Sequence, residues 1–528
     1  MRIPAATLLL IVSSLTLAAA DDKPKITHGV QIGLLDNGQA VIWSRCDRPA
    51  KMNVAYAGNR RFKQAKIATG GVASPANDYT ARQILDDLPA GGKTIWLKVW
   101  FTDAANPGLK SEPAFGHFHH IGKNDSLHFV WGGDTAGQGF GINPQYGGFK
   151  IYTTMRKLKP RFFIQSGDNI YADSPIEAQK RVENGSIWIN RVSVPELGKV
   201  AQTLDEFRAR YKYNLEDTNL LRFNSETPQI WQWDDHEVVN NWSPSKKLNE
   251  NYTEVKDLQS LLDPAAKAFH EYAPLPLPDS GPYPSIYRTI GVNGLLDIFV
   301  LDMRSFRGPN SANLQTTAGP ETAFLGAEQV EWLERALQNS TAAWKIIAAD
   351  QPLGLCIPDE GDKWEGVANC DNGKPAGREL EIAELLRFIK QRHITGIVWL
   401  AAEVHYTAAH YYDPAKSAGV DFLPFWEFIA GPLNAGTFGP SRADRTFGLE
   451  VDYCKTRGHY LKVPGWRTRE FCANPPPDPM AKERPLLSPA AGYQFFGEVA
   501  INRNNRLLTV NLRDSKGSIL YSRTLRPD

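Results

Sequence analysis

From Ser126 onward, short apolar runs alternate with amphipathic stretches, and several apolar runs stop abruptly at acidic or histidine-bearing clusters. Leu127-His-Phe-Val-Trp131 leads into Gly132-Gly-Asp134. Phe162 to Ile164 stops at Gly167-Asp168, with Tyr171 three residues on. Gln229-Ile-Trp-Gln-Trp233 leads into Asp234-Asp-His-Glu237. Leu295 to Leu301 ends at Asp302, Trp344 to Ala349 at Asp350, and Gly396 to Ala402 at Glu403-Val-His405. Short apolar runs bounded by turn residues and separated by helices are the pattern of buried strands in an α/β sheet. Ligands in such sheets collect at the carboxyl ends of the strands. Asp134 and Asp168 follow consecutive strands, so two parallel neighbours would set them side by side.

Between the strands, helices are expected over Tyr152–Leu158, Phe207–Tyr213 after a Thr203/Glu206 capping box, Asp217–Asn224, Glu328–Asn339 and Arg378–Gln391. Residues 26–121 read differently. Short alternating strands separated by Gly, Pro and Asn turns suggest a small antiparallel β-sandwich with no chemistry of its own. His117 to Asp125 is the expected linker. The alternating strands Phe495–Ile501, Leu507–Leu512 and Ser518–Leu525 read as the edge of a second sheet, and Gly431–Pro485 as long loops over the site. Met1 to Ala20 has an early Arg2, an apolar centre from Leu8 to Leu17 and a small-residue end before Asp21. That is a cleaved secretory signal, too short to span a bilayer, so a periplasmic or extracellular protein is expected.

The formal charge is +1, which argues against a dedicated nucleic-acid or membrane-surface partner. Five cysteines are few for this length, and no pair has zinc-ligand spacing. In an oxidising compartment Cys356–Cys370 and Cys454–Cys472 could close two loops and leave Cys46 alone, although spacing does not establish the pairing.

The clusters carry hard oxygen donors. An Asp oxygen bridges two cations, and a Tyr phenolate suits ferric iron, so Asp168 and Tyr171 form a candidate metal grip. Asp134 sits in a glycine-rich turn where backbone can approach a ligand. Asp235 offers another oxygen, and His236 a proton donor or an electrophilic contact. Glu403 and His405, two apart in an extended chain, would share a face as a ligand pair. Asp350 ends a further strand and joins the candidates. Arg304 and Arg307 could meet phosphate but are read as partners of Asp302 and other carboxylates, and His410 as a core or surface residue. No phosphate-loop or dinucleotide spacing is present, nor a Gly-x-Ser-x-Gly elbow.

Gly167-Asp-Asn-Ile-Tyr171, Trp233-Asp-Asp-His-Glu-Val-Val-Asn-Asn241, Leu301-Asp-Met-Arg-Ser-Phe-Arg307 and Glu403-Val-His-Tyr406 resemble the motifs of the PhoD-like alkaline phosphatase family of metallophosphoesterases. Phe496-Gly-Glu-Val and Gly517-Ser-Ile-Leu-Tyr521 match as well. The resemblance implies an α/β fold: a two-sheet metallophosphoesterase sandwich flanked by helices over residues 123–528. Before it stands a small all-β immunoglobulin-like domain over residues 21–122, with residues 1–20 as the signal peptide. It also implies a site for Fe3+ and Ca2+ using Asp168, Tyr171, Asp235 and His405, to which Asp134, Asp350 and Glu403 are added here. Catalytic roles fall on Asp235, His405 and His236, the last stabilising the leaving oxygen. Two positions depart from the family pattern. Asp134 stands where the founding type has a cysteine ligand, a departure that resembles purple acid phosphatases, and Glu403 stands where the family usually has Asp. The expected function is an exported phosphatase or phosphodiesterase that hydrolyses small phosphate esters with metal-activated water. The alternative, which Glu403 favours, is a weak or silent phosphate-ester-binding protein that keeps the fold.

Overall fold

A computed structural model of the chain describes residues 23–89, 91–277, 283–462, 465, 468–476 and 486–527. The expected signal peptide lies outside the described residues, as does part of Gly431–Pro485.

Two large sheets face each other. The first has nine strands in the order Ile519–Leu525, Leu508–Asp514, Phe495–Ile501, Leu127–Gly132, Phe163–Gln165, Gln229–Trp231, Ile26–Leu34, Ala40–Cys46 and Thr80–Leu85. The second has seven, in the order Arg288–Val292, Leu296–Val300, Trp344–Ala348, Ile397–Ala401, Phe425–Ile429, Thr407–Tyr412 and Leu449–Lys455. One core fills the space between them, with Phe129, Trp131, Ile164 and Ile230 against Ile298, Ile346, Val398 and Leu400. Helices cover the outer faces. Lys150–Lys157, Leu204–Asn214, Thr218–Glu226 and Leu258–Tyr272 lie on the first sheet, and Ala327–Asn339 and Glu379–Gln391 on the second. Every residue of Trp344–Ala348 is buried, as strands covered on both faces require.

The sheets are stitched where the site lies. Gln232 Nε2 donates to the carbonyls of Leu301 and Ala348, at 3.1 and 2.8 Å, and Trp131 Nε1 donates to that of Ala401. The expected parallel neighbours are present, with Gly132 beside Gln165 and Gln165 beside Trp231. The capping box at Thr203 and Glu206 opens Leu204–Asn214.

Several expectations need correction. The N-terminal strands do pack as two facing layers, but one layer is not separate, because Gly33 pairs in parallel with Gln229 and three of them continue the first sheet. A sheet edge left bare would expose unpaired backbone groups, and this continuation covers it. The other four strands form a separate sheet packed on that extension through Met52, Val54, Leu97 and Val99. His117–His120 belongs to the strand Ala114–His120 and not to a linker. The C-terminal strands edge the first sheet, Phe495–Ile501 pairing antiparallel with Leu127–Gly132. Gly431–Pro485 contains the strand Leu449–Lys455 besides its loops. Cys356–Cys370 and Cys454–Cys472 are bonded, and Cys46 is buried and free.

Within the first sheet Glu498 accepts from His128 Nε2 at 2.7 Å, Asn511 Nδ2 at 2.8 Å and Arg513 Nε at 2.6 Å. Burial opposes its ionisation, but these donors win and bring the carboxyl down to about 2. The native value is depressed, so the stabilisation is full above the ordinary glutamate range and is lost as pH falls through about 2. Glu498→Gln should lose about 1–2 kcal/mol at pH 7 by urea unfolding, after discounting for solvent screening. The gap to wild type should narrow at pH 3, and a gap independent of pH would refute the assignment.

Candidate metal centre

Six loops that follow parallel strands of the two sheets bring carboxylates and imidazoles to one end of the sandwich. Asp134 follows Leu127–Gly132, Asp168 follows Phe163–Gln165, and Asp235 follows Gln229–Trp231. From the second sheet come Asp302, Asp350, and the Glu403–His405 turn after Ile397–Ala401. The backbone there is unusual. Asp134, Asp168, Glu403 and His405 all have positive φ, at 67, 51, 55 and 54°. Each such residue costs about 1–2 kcal/mol for an L side chain, and such strain gathers at functional sites. It also corrects the expected geometry: Glu403 and His405 do not share the face of an extended strand. They meet because both residues of a tight turn adopt the left-handed conformation. The glycines near Asp134 serve packing as well. A Cβ on Gly137 would strike the Tyr171 ring, and one on Gly431 would strike Asp134.

Ligand atoms of Asp134, Asp168, Glu403 and His405 lie within 4.8 Å of one another. So do those of Asp168, Asp235 and His236, and those of Asp168, Asp234, Asp235 and Glu403. Asp168 belongs to all three groups, the position a bridging carboxylate would take. Tyr171 joins through its hydroxyl, 2.9 Å from His405 Nε2. His405 Nδ1 is 2.7 Å from the Gly436 carbonyl, which makes Nδ1 the protonated nitrogen and leaves the Nε2 lone pair facing Tyr171 and Asp134. Burial pushes the His405 pKa down to about 3, so the imidazole is neutral, as a metal ligand must be.

The residues fit a cation on their own chemistry. Both Asp134 oxygens, Asp168 Oδ2, Asp234 Oδ2 and Asp235 Oδ1 are buried with no hydrogen-bond partner among the described residues. Buried acceptors so left cost free energy unless something positive meets them. Burial first, and neighbouring carboxylates second, push Asp134, Asp168 and Glu403 well above the usual carboxylate range. A bound cation reverses that balance and favours the ionised forms.

His236 is built as a cation. Its Nδ1 lies 2.7 Å from Asp173 Oδ1 and its Nε2 3.9 Å from Asp235 Oδ1. Burial opposes the charge, but Asp173, Asp235 and Asp168 outweigh it and raise the pKa well above the ordinary value. Burial also opposes ionisation of Asp235, yet His236 and Arg304 bring it down to about 2. Arg304 is wholly buried. Its Nε donates to Asp234 Oδ1 at 2.6 Å, and its guanidinium meets Glu365.

Asp350 stands apart. Among the described residues it belongs to none of the three groups, and its Oδ2 lies 3.9 Å from Arg304 Nε. Arg304 and Arg307 turn to Asp234 and Glu365, whereas Asp302 receives backbone N–H groups of Arg304 and Ser305. His410 is a buried core residue bonded to Glu427. Sequence reasoning missed Asp234 as a member of the cluster and Asp173 as the partner of His236. Both sit within two residues of named candidates, a signal that was there to follow. Glu365 carries no such signal. A groove of about 1080 Å³ lined by Lys416, Arg445, Asp452, Arg469 and Arg523 holds none of the candidate ligands.

Residues 129–462 match the family model described as PhoD-like phosphatase, and residues 12–119 that of the PhoD-like phosphatase N-terminal domain. Alkaline phosphatase D of Bacillus subtilis (strain 168) is 28% identical over 313 residues, covering 57% of this chain and 51% of that protein. The chain thus matches about half the length of this curated relative. A solved structure of PhoD is similar with a TM-score of 0.69 and 17% identity, over 95% of this chain and 90% of the other. A purple acid phosphatase from yellow lupin (Lupinus luteus) seeds is similar with a TM-score of 0.54 and 11% identity, over 94% and 74%. At those identities the likeness shows the fold alone: mixed sheets flanked by helices.

Proposed function

The chain belongs to the PhoD-like phosphatase family, and from that membership we propose that it is an exported metal-dependent phosphoesterase acting on small phosphate esters. The observation that carries the proposal is the convergence of Asp134, Asp168, Asp235, Glu403 and His405, several with unpartnered buried oxygens, at the strand ends of both sheets. Asp134, Asp168, Tyr171 and His405 would hold ferric iron, and Asp168, Asp235 and Glu403 a calcium ion. Bound there, the cations supply Lewis acidity toward a phosphate oxygen and make water a stronger acid. Asp168 holds the two groups together. His236, kept charged by Asp173, presents Nε2 to the leaving oxygen and donates a proton to it. Arg304 neutralises Asp234 and Asp235 from behind, which leaves the oxygens in front for cations. Two disulfides fit an oxidising compartment, and no described helix is long and apolar enough to cross a membrane. We read the N-terminal strands as an immunoglobulin-like unit fused to the catalytic sheet.

Purified protein should hydrolyse p-nitrophenyl phosphate or bis-p-nitrophenyl phosphate, lose the activity to a chelator and regain it with metal. Chelator-resistant hydrolysis would sink the proposal.

Glu403 supports the rival, a silent phosphate-ester-binding protein, because its extra methylene places the carboxylate about one bond length further than Asp would. Against that, Glu403 is half-buried beside candidate ligands, with no arginine at ion-pair distance among the described residues. We expect Glu403→Ala to lower kcat/KM by about tenfold to a hundredfold and to weaken metal retention. Glu403→Asp should keep or raise activity. Full metal content and full turnover in Glu403→Ala would place this side chain outside the site.

A further inference from the structure

The disulfide Cys356–Cys370 closes a loop that reaches the candidate metal centre by two routes. On the first, Asp359 accepts from Asn241 Nδ2 at 3.1 Å through Oδ1, and from Asn310 Nδ2 at 2.9 Å through Oδ2. Asn241 Nδ2 also donates to the Pro358 carbonyl, and Asn310 Nδ2 to the carbonyl of Asn241. Asn241 is thereby fixed in a left-handed conformation, φ 55°, and its backbone N–H donates to Asp235 Oδ2 at 2.6 Å. On the second route, Glu365 of the same loop meets Arg304, whose guanidinium lies 3.7 Å from the same Asp235 Oδ2. Both routes end on one oxygen. The other, Asp235 Oδ1, is buried with no hydrogen-bond partner among the described residues.

We propose that the Cys356–Cys370 loop is a clamp that orients Asp235, with Asp359 as a positioning residue that selects which carboxylate oxygen is offered to a cation. The inference rests on Asp235 being a metal ligand. A ligand free to rotate loses affinity, and the partners that fix it commonly contribute tenfold to a hundredfold. Beside Asp359 the loop is exposed at Pro358 and residues 360–362, where short bridges link Trp364 to Ser311 and to Pro358, whereas its second half is buried and held by Arg378, which donates to the carbonyls of Trp364, Glu365 and Gly366. Without the disulfide, Asp359 would have to be ordered from a longer, looser segment.

The test is calcium binding by calorimetry to full-length, chelator-stripped protein, with thermal unfolding measured in parallel. Asp359→Ala should weaken calcium affinity about tenfold to a hundredfold while its unfolding midpoint stays within a few degrees of wild type. Turnover should recover at saturating metal. Asp359→Asn should fall between, since one amide oxygen replaces one of two acceptors. Glu360→Ala, on the exposed part of the loop, should bind as wild type does. Cys356→Ser/Cys370→Ser should weaken affinity in the same direction; if it does not fold, the Asp359 variants decide. Wild-type affinity in Asp359→Ala overturns the clamp and leaves the proposed function standing. A wild-type protein that binds no calcium overturns the calcium assignment and the clamp together.

Discussion

Asp168→Asn is expected to cut kcat/KM by about a thousandfold or more, on the order of 4 kcal/mol of lost transition-state stabilisation, without unfolding the protein. Asparagine has the same shape and tolerates the left-handed conformation at φ 51°, so the loop after Phe163–Gln165 should keep its path. What is lost is one negative charge at the position shared by all three ligand groups. Metal content should fall with activity, and circular dichroism and the unfolding midpoint should stay close to wild type. A folded Asp168→Asn protein with full activity would remove Asp168 from the site.

Arg304→Met should act on stability instead. The guanidinium is fully buried among Asp234, Asp235, Asp350 and Glu365. Methionine fills much of the same volume but leaves those carboxylates without their cation. Breaking one partner of a buried ionic group costs about 3–5 kcal/mol, because an uncompensated charge remains behind. Urea unfolding at pH 7 should show that loss. Adding Glu365→Gln should restore part of it, since one orphaned charge goes with it. A single variant within about 0.5 kcal/mol of wild type would mean that the buried network does not depend on this arginine.

Much of the fold was legible from residues 123 onward because its strands are apolar on both faces and end in turn residues. Leu296–Val300, Trp344–Ala348 and Ile397–Ala401 begin and end within one or two residues of the runs that foretold them. The capping box at Thr203 set a helix start. The helix Leu258–Tyr272 was missed; it carries Pro264 in its second turn, a residue that ordinarily argues against a helix interior. The strands Thr407–Tyr412 and Phe425–Ile429 were missed as well, and their order in the sheet crosses their order in the chain. Sheet membership was harder still. Nothing local in Ile26–Leu34 says that Gly33 will pair with Gln229, some two hundred residues away. The site followed the same division. Candidate ligands at strand ends could be named from the chain, and most of them converge. Asp350 and Glu365 became partners of Arg304 through packing between loops, which no spacing encodes.

The most direct measurement is the metal content of the purified protein, taken together with its visible spectrum and its turnover as metal is stripped and restored. About two metal ions per chain are expected, in keeping with a two-metal site. If one is ferric iron held by Tyr171, the protein should be violet, and Tyr171→Phe should lose that band. Turnover should fall and rise with metal occupancy. Full hydrolysis of a phosphate ester by protein carrying no metal would contradict the assignment of the Asp134–Asp168–Asp235–Glu403–His405 cluster as the catalytic centre.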